Sequence, residues 1–502
     1  MKPLLLGDLA SMPFVRVITG DRTLALRGVA SDSRRVEPGD LFAAISGDSS
    51  DGRSFVPQAL AKGAVAVLCD AALGADVPQV RVDNVRSCLG LVAHRVYGEP
   101  SRALKTVAIT GTNGKTTVTY LLESVLAQAG YSPALLGTIV ARGPAYERVS
   151  ELTTPEADVV ARFAYEQARA GASQLIMEAS SIALDQHRLA GLAVDIAAFT
   201  NLTQDHLDYH GSMQVYGEAK ARLFSADFSP RDSVIMVDQA FGQALSQEAK
   251  GRVLRASLQS DAEAELRVAQ YRSTRAGIEA SIDTPWGRLA IESPLFGAHN
   301  LENLLVTIGC ALGLGLEPSQ IERALCTATG APGRLERVAS ELDVMVLVDY
   351  AHTPDAIARA LSALRPLTQG RLFVVCGCGG DRDATKRAPM GEAAVLGADV
   401  AVLTSDNPRS EDPAHILAQM ETGAQRAASA LSVDELAGAS RGYVCIEDRG
   451  TAIRAAIQAA RPGDSVLLAG KGHETYQIVG REKRSFDDRV EAAAALAERG
   501  GR

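Results

Sequence analysis

No stretch of this sequence approaches the roughly 18 consecutive apolar residues that a membrane span requires. The apolar opening MKPLLLGDL is broken by Asp8 after three leucines, too short for the core of a signal peptide. A cytoplasmic protein without membrane insertion is expected. Cysteine is scarce: the seven, at 69, 88, 310, 326, 376, 378 and 445, form an odd and scattered set, which suits a reducing compartment better than a disulfide framework. Cys376 and Cys378 have a one-residue spacer and no matching second pair, so no metal site is expected there. Basic charge is not in excess either. With 51 basic against 60 acidic residues, the net charge of −9 argues against a nucleic-acid partner and leaves anionic substrates to local loops. Tandem repeats and low-complexity tracts are missing, and the Ala-rich stretches read as packing helices.

What is present is ordinary soluble composition, 46% apolar and 22% charged, enough to bury cores. At roughly 100 to 200 residues per domain, 502 residues favour about three domains. Residues 1–100 mix short β-branched segments such as AVAVL (64–68) with the turn-rich GDSSDGR (47–53), and close on YGEPSR. From 101 the pattern is strand, turn, helix: TVAIT (106–110), then GTNGKTT, then a helical period through Leu121, Leu122, Val125 and Leu126. QLIME (174–178), IAAFT (196–200) and SVIMV (233–237) continue a parallel α/β series to about 330. After GAPGR (330–334), a second series occupies 331–502, with VMVLVDY (344–350), RLFVVCG (371–377), DVAVLTSD (399–406) and DSVLLAG (464–470) as buried strands. The fold class read from this is α/β in three domains: a small N-terminal α/β domain, a central P-loop domain with a parallel sheet, and a C-terminal Rossmann-like α/β domain.

The segment Thr110-Gly111-Thr112-Asn113-Gly114-Lys115-Thr116-Thr117 lies between strand and helix. There, glycines let backbone amides approach phosphate oxygens and the helix start adds favourable partial charge. ATP is the natural occupant. Lys115 would reach the terminal phosphates, and a hydroxyl at Thr116 or Thr117 would ligate magnesium. The spacing between the first glycine and Gly-Lys is shorter than in the common P-loop.

At this loop the sequence resembles the Mur ligases, and the likeness continues in order through TTP (153–155), MEASSIALDQHR (177–188), FTNLTQDHLDYHG (199–211), AKARLF (219–224), HNLEN (299–303), GRLE (333–336), VDYAHTPD (348–355), GCGGDRD (377–383), DNPR (406–409) and GKGHE (470–474). The resemblance implies that Glu178 and His206 bind Mg2+. It also implies that Lys220 is carbamylated (N6-carboxylysine) and helps hold a second ion, and that Lys115, Glu178, His206 and Lys220 are the catalytic set. Read without the family, Lys220 is a solvated helix lysine. The resemblance assigns the first domain to the uridine end of UDP-MurNAc-L-Ala-D-Glu through Ser31, Ser33 and the turn Asp48-Ser49-Ser50. Each serine alone reads as a turn or cap residue. Thr153, Thr154, Ser180, Gln186 and Arg188 match contacts to the sugar-peptide, while Asn303, Arg334, Asp349 and His352 match positions around ATP, over which the last two domains close. Two positions depart from the family pattern: Ile182 stands where histidine is usual and Gln204 where arginine is usual.

Within the family, DNPR marks the members that add meso-diaminopimelate rather than lysine, and Asp406, Asn407, Pro408 and Arg409 are intact. Diaminopimelate carries a second carboxylate, which a guanidinium holds with two charge-assisted hydrogen bonds. Arg382, Gly470 and Glu474 complete the implied amino-acid site. The implied reaction is formation of an acyl phosphate from the substrate carboxylate and ATP, attack by the amine, and collapse of the tetrahedral intermediate to amide and phosphate. A monomer is expected. Two other readings remain open: a paralogue, such as a folylpolyglutamate synthetase or a ligase of specialised metabolism, and a nucleotide-binding protein without chemistry.

Overall fold

The computed structural model describes residues 3–47, 51–74, 76–340 and 342–500. Contacts divide the chain into two compact units, one of residues 1–270, 281–290 and 302–325, the other of residues 271–280, 291–301 and 326–502. The first unit contains two large sheets, besides a two-stranded pairing of Leu4–Leu5 with Ala25–Leu26. The N-terminal one has β1 (Val15–Thr19), β2 (Gly28–Ala30), β3 (Asp40–Ala43), β4 (Ala66–Cys69) and β5 (Gln79–Val82), in the order β1-β5-β4-β3-β2. Helix α1 (Val85–Val96) covers it, started by Asn84, whose side chain accepts from Ser87 N.

The second sheet of this unit holds β6 (Lys105–Thr110), β7 (Pro133–Leu136), β8 (Val140–Arg142), β9 (Glu147–Val149), β10 (Gln174–Glu178), β11 (Ile196–Phe199), β12 (Asp232–Met236) and β13 (Arg252–Ser257). Their order is β9-β8-β7-β10-β6-β11-β12-β13, continued by the strand that opens at Leu266. β10, β6, β11, β12 and β13 pair in parallel, and the continuous burial of β10 and β11 explains their near-continuous apolar sequence. The register sets Glu178 beside Ile109 and Phe199 beside Thr110. The loops that follow these three strands therefore leave from one rim, the usual place for ligands in a parallel α/β sheet.

Helix α2 (Lys115–Gln128) follows the phosphate loop, and α3 (Ala157–Arg169) packs in two directions. Its Ala157 and Ala161 belong to the core of the N-terminal sheet. Its Val160, Phe163 and Ala164 belong to the core of the central sheet. The N-terminal α/β region expected as a separate domain thus has its own sheet but shares a helix with its neighbour.

The other unit contains a six-stranded sheet of β14 (Glu336–Val338), β15 (Met345–Asp349), β16 (Leu372–Cys378), β17 (Val400–Ser405), β18 (Gly442–Cys445) and β19 (Ser465–Ala469), ordered β14-β15-β19-β16-β17-β18. All pairs but β14-β15 are parallel. Alternate residues serve opposite faces: Val374, Cys376 and Cys378 join one core, Phe373 and Val375 the other. Both cysteines are packing residues of the first core. Asp349 pairs with Ala469, and Cys378 with Ser405. The turns carrying VDYAH, GGDRD, DNPR and GKGHE consequently leave the sheet at the same edge. Helices α6 (Arg449–Ala459) and α7 (Asp488–Gly500) are pinned by Arg449 and Asp488, both fully buried, through two bonds of 2.7 and 2.6 Å. Among the described residues, no helix is long and apolar enough to cross a membrane.

Candidate active site

In the first unit the phosphate loop turns at Gly111 (φ 148°) and Gly114 (φ 90°). A Cβ at Gly111 would lie 1.9 Å from Thr200 Oγ1, and one at Gly114 would lie 2.2 Å from Asn303 Oδ1, so both positions need glycine for space as well as backbone freedom. The loop is braced by the segment after β11. Thr112 N donates to Asn201 O at 2.8 Å and Asn113 N to Asn201 Oδ1 at 3.0 Å. These two amides hold the loop in shape rather than facing a phosphate. Lys115 Nζ donates to Gly111 O and Thr112 O at 2.7 and 2.9 Å.

Glu178 ends β10 almost fully buried and gathers the neighbouring hydroxyls. Its Oε2 accepts from Thr116 Oγ1 and Thr138 Oγ1, both at 3.0 Å, and its Oε1 accepts from Thr138 N at 2.8 Å. Thr138 Oγ1 also lies 3.1 Å from Thr153 Oγ1. Thr154 Oγ1 donates to Glu178 O at 2.8 Å and accepts from Ser180 N at 3.1 Å. Ser180 caps the short helix α4 (Ser181–Asp185) by accepting from Ala183 N. Arg188 donates to Thr154 O at 2.9 Å and to Gln186 Oε1 at 2.7 Å, and pairs with Glu156 at 3.2 Å. One continuous polar network therefore runs from the phosphate loop to Arg188.

Lys220 corrects the residue-only reading: it is 1% exposed, not solvated. Helix α5 (Met213–Ala221) puts Tyr216 and Lys220 on one buried face, four residues apart. Lys220 Nζ donates to Gly111 O at 2.8 Å and lies 4.2 Å from the centre of the Tyr216 ring, whose hydroxyl is 3.1 Å from Thr112 Oγ1. Burial, and secondarily the Lys115 ammonium, hold the Lys220 amine well below the usual lysine range, against the opposing pull of Asp205. His206 stands apart from the Glu178 network described above. It is half exposed, in the left-handed region at φ 51°, 3.6 Å from Asp205 and 6.2 Å between ring centres from Tyr216. Among the described residues, no group of three or more His, Cys, Asp or Glu converges as a metal site. Ile182 is half-buried in α4, and Gln204 is exposed.

A cavity of about 210 Å3 lies where the N-terminal and central sheets meet, lined by Ser31, Arg34, Arg35, Arg148, Glu151 and Asp158 among others. Ser31 lies in a bend and Ser33 in the turn closed by Arg35 N donating to Asp32 O at 2.9 Å, and both side chains also make longer-range bonds. Ser31 donates from N and Oγ to Asp158, both at 2.9 Å, and Ser33 Oγ donates to Gln58 at 2.8 Å. Asp48, Ser49 and Ser50 lie outside the described residues.

In the other unit, Asp349 first serves the backbone: Oδ2 accepts from Leu335 N at 2.7 Å and Oδ1 from Ala351 N at 2.8 Å. Arg334 sits 4.9 Å from the centre of the Tyr350 ring. His352 and His473 pack on the same tyrosine at 4.7 and 5.0 Å between centres. Burial, then Arg334, lowers His473 to about 4. Arg409 (φ 51°) donates from Nη1 to Gly380 O at 2.7 Å, and its backbone bridges to the hairpin of β20 (Tyr476–Val479) and β21 (Glu482–Ser485). Asn407 Nδ2 donates to Glu474 Oε2 at 2.8 Å, tying DNPR to GKGHE. Pro408 is buried beneath this turn and Gly470 (φ 116°) packs near Asp406, while Arg382 is exposed, with a single long bond of 3.4 Å to Asp381 O.

Three family descriptions match the chain in order: Mur ligase family, catalytic domain, over residues 25–97; Mur ligase middle domain, over 109–311; and Mur ligase, glutamate ligase domain, over 333–472. A UDP-N-acetylmuramoyl-L-alanyl-D-glutamate--2,6-diaminopimelate ligase of Synechococcus elongatus is 46% identical over 489 residues, covering 95% of each chain. The chain belongs to the Mur ligase family. A relative of the same description from Trichormus variabilis is 42% identical over 482 residues, covering 94% of this chain and 95% of its own. A solved structure of a ligase so described has a TM-score of 0.74 at 33% identity and covers 99% of both chains.

In this Mur ligase, with the family's three-domain architecture, the structure joins Thr116, Glu178, Thr153, Thr154, Ser180, Gln186 and Arg188 in one network, and Lys115 and Lys220 at the Gly111 carbonyl. In the other unit it joins Asp406, Asn407 and Glu474, with Lys471 at their centre. Sequence reasoning passed over Thr138, Asp158, Tyr216 and Lys471. Lys471 had a visible signal, as the only charged residue inside GKG.

Proposed function

We propose that this Mur ligase joins meso-diaminopimelate to UDP-MurNAc-L-Ala-D-Glu at the expense of ATP, in the synthesis of the peptidoglycan precursor. The reading is carried by the seating of the intact DNPR turn against the GKGHE turn through Asn407 and Glu474. A guanidinium at 409 and a carboxylate at 474, carried by two turns tied together through Asn407, suit a zwitterionic substrate end, which offers a carboxylate to the first and an ammonium to the second.

In this proposal residues 1–100 hold the uridine end, 101–330 hold ATP and 331–502 hold the amino acid. The substrate carboxylate attacks the γ-phosphorus and ADP leaves; the diaminopimelate amine then attacks the acyl carbon, and phosphate leaves as the amide forms. The chain's own groups act by position and charge rather than as covalent nucleophiles. Lys115 stabilises charge on the transferred phosphoryl group, and Arg188 holds the peptide end of the acceptor. The oxygens of Glu178 and Thr116 are hard donors that would suit Mg2+; His206 stands apart from them beside Asp205 and would have to approach to serve as a further ligand. When bound, the ion offsets repulsion between the carboxylate and the γ-phosphate. Enclosure of the Lys220 amine beside Gly111 supports its carriage of CO2 as a carbamate. A cytoplasmic monomer is part of the same reading.

The test is phosphate release with ATP, magnesium and UDP-MurNAc-L-Ala-D-Glu, comparing meso-diaminopimelate with L-lysine and confirming product mass. Release with diaminopimelate and the matching tripeptide mass is expected. Turnover of lysine alone would overturn the amino-acid assignment, and silence with both would favour a paralogue.

A further inference from the structure

Lys471 is fully buried, although lysine is among the residues least often enclosed. The turn explains how. Gly470 (φ 116°) and Gly472 (φ 52°) flank it, and a Cβ at 472 would lie 2.7 Å from Tyr350 Cβ and 2.8 Å from Gly333 O. Only glycines allow this tight reversal, which folds the Lys471 side chain under the turn instead of into water.

The ammonium then meets three side chains of the amino-acid site. It donates to Glu474 Oε2 at 3.2 Å and Asn407 Oδ1 at 3.3 Å, and pairs with Asp406 Oδ1 at 3.6 Å, a buried oxygen with no hydrogen bond of its own. The orientation of Asn407 follows. Its Oδ1 accepts from Lys471 and from Ile478 N at 2.9 Å, which fixes Nδ2 as the group that donates to Glu474. Both bonds to Glu474 fall on Oε2, so Oε1 is the oxygen offered to an incoming ammonium. Asp406 and Glu474 both face this one buried cation, which offsets the repulsion between the two carboxyl groups.

We propose that Lys471 is the positioning residue of the amino-acid site, fixing the Asn407 amide and the Glu474 carboxylate so that the distal ammonium of the incoming diamino acid is received by Glu474. This rests on the diaminopimelate reading above.

The experiment is steady-state kinetics of full-length Lys471→Met, with each of the three substrates varied in turn, together with the thermal shift produced by meso-diaminopimelate alone. The expected result is a KM for diaminopimelate raised about tenfold or more, the loss expected from one well-formed charged contact, with those for ATP and the UDP-peptide within about twofold, and loss of the diaminopimelate-dependent shift. An unchanged diaminopimelate KM, or an equal change in all three, would overturn the proposal. If Lys471→Met fails to fold, Lys471→Gln keeps donors for Asn407 and Glu474 and should show the same selective change at smaller amplitude; failure of that variant to fold assigns Lys471 to the fold and also overturns the proposal. Wild-type protein that uses lysine alone removes the functional reading itself, a result seen before any variant is made.

Discussion

Asp158 of the central domain receives both the backbone amide and the hydroxyl of Ser31 in the N-terminal domain, each at 2.9 Å. Both donors of Ser31 are engaged, so toward the cavity it has only lone pairs to offer and can receive only a donor. Asp158→Asn introduces an NH2 group against one of these donors. The KM for the UDP-peptide should rise about fivefold to tenfold, equivalent to about 1 to 1.4 kcal/mol, with the KM for ATP unmoved. Equal UDP-peptide KM values in variant and wild type would leave Asp158 with a role in the fold alone.

Arg409→Lys keeps the charge but loses the planar fork. Diaminopimelate should bind at least tenfold more weakly by calorimetry, about 1.4 kcal/mol, while ATP affinity is unchanged. Equal affinity for diaminopimelate would remove Arg409 from the recognition of its second carboxylate.

The carbamylation proposed for Lys220 would make activity depend on dissolved CO2. Enzyme equilibrated in CO2-free buffer should lose activity and regain it when bicarbonate is added, whereas Lys220→Arg should be inactive under both conditions. Wild-type activity indifferent to CO2 removal, with no added mass at Lys220 in intact protein, would discard the modification.

Arg449 and Asp488 are buried together without access to water. Arg449→Met leaves an uncompensated carboxylate and should lower unfolding free energy by about 3 to 5 kcal/mol. Arg449→Met with Asp488→Leu should recover much of that loss. Chemical denaturation measures both, and a single variant as stable as wild type would show that the pair contributes little.

His94 is enclosed beside Ser101, and burial lowers it to about 4 from an ordinary 6.5. Its folded value lies below its unfolded one, so the contribution to stability is complete above pH 6.5 and is lost as pH falls from 6.5 toward 4. The loss is roughly 3 kcal/mol at one pH unit per 1.4 kcal/mol. His94→Gln should flatten this acid limb in a series of thermal melts, and an identical limb would assign it to other groups.

The parallel strands were legible because buried strands must be apolar throughout: QLIME at 174–178 coincides with β10, and the other named runs agree with their strands to within a residue or two at each end. The hairpin β8–β9 was not legible, since Glu147–Val149 is exposed and has no apolar period. Lys115 and Glu178 could be read from the loop motif and the strand end. Lys220 could not, because nothing in the chemistry of lysine announces burial; only its spacing from Tyr216 hinted at a shared face. Asp158 was hidden for another reason. An acidic residue in the first turn of a helix already has an explanation in the helix dipole, so its second task left no separate mark. Lys471 stood in plain view inside GKGHE, but the glycines beside it drew attention to the turn rather than to what the turn encloses.

Helix α3 gives Ala157 and Ala161 to one core and Val160, Phe163 and Ala164 to another. Exchange of the N-terminal domain between relatives is constrained as a result. A borrowed segment of residues 1–100 would have to fit two alanines that lie far beyond its own end, with Gly90 so close to Ala190 that an added Cβ would stand 2.0 Å from its carbonyl oxygen. The N-terminal domain of this ligase is therefore inherited together with a face of its central neighbour, and the two are free to diverge only in step.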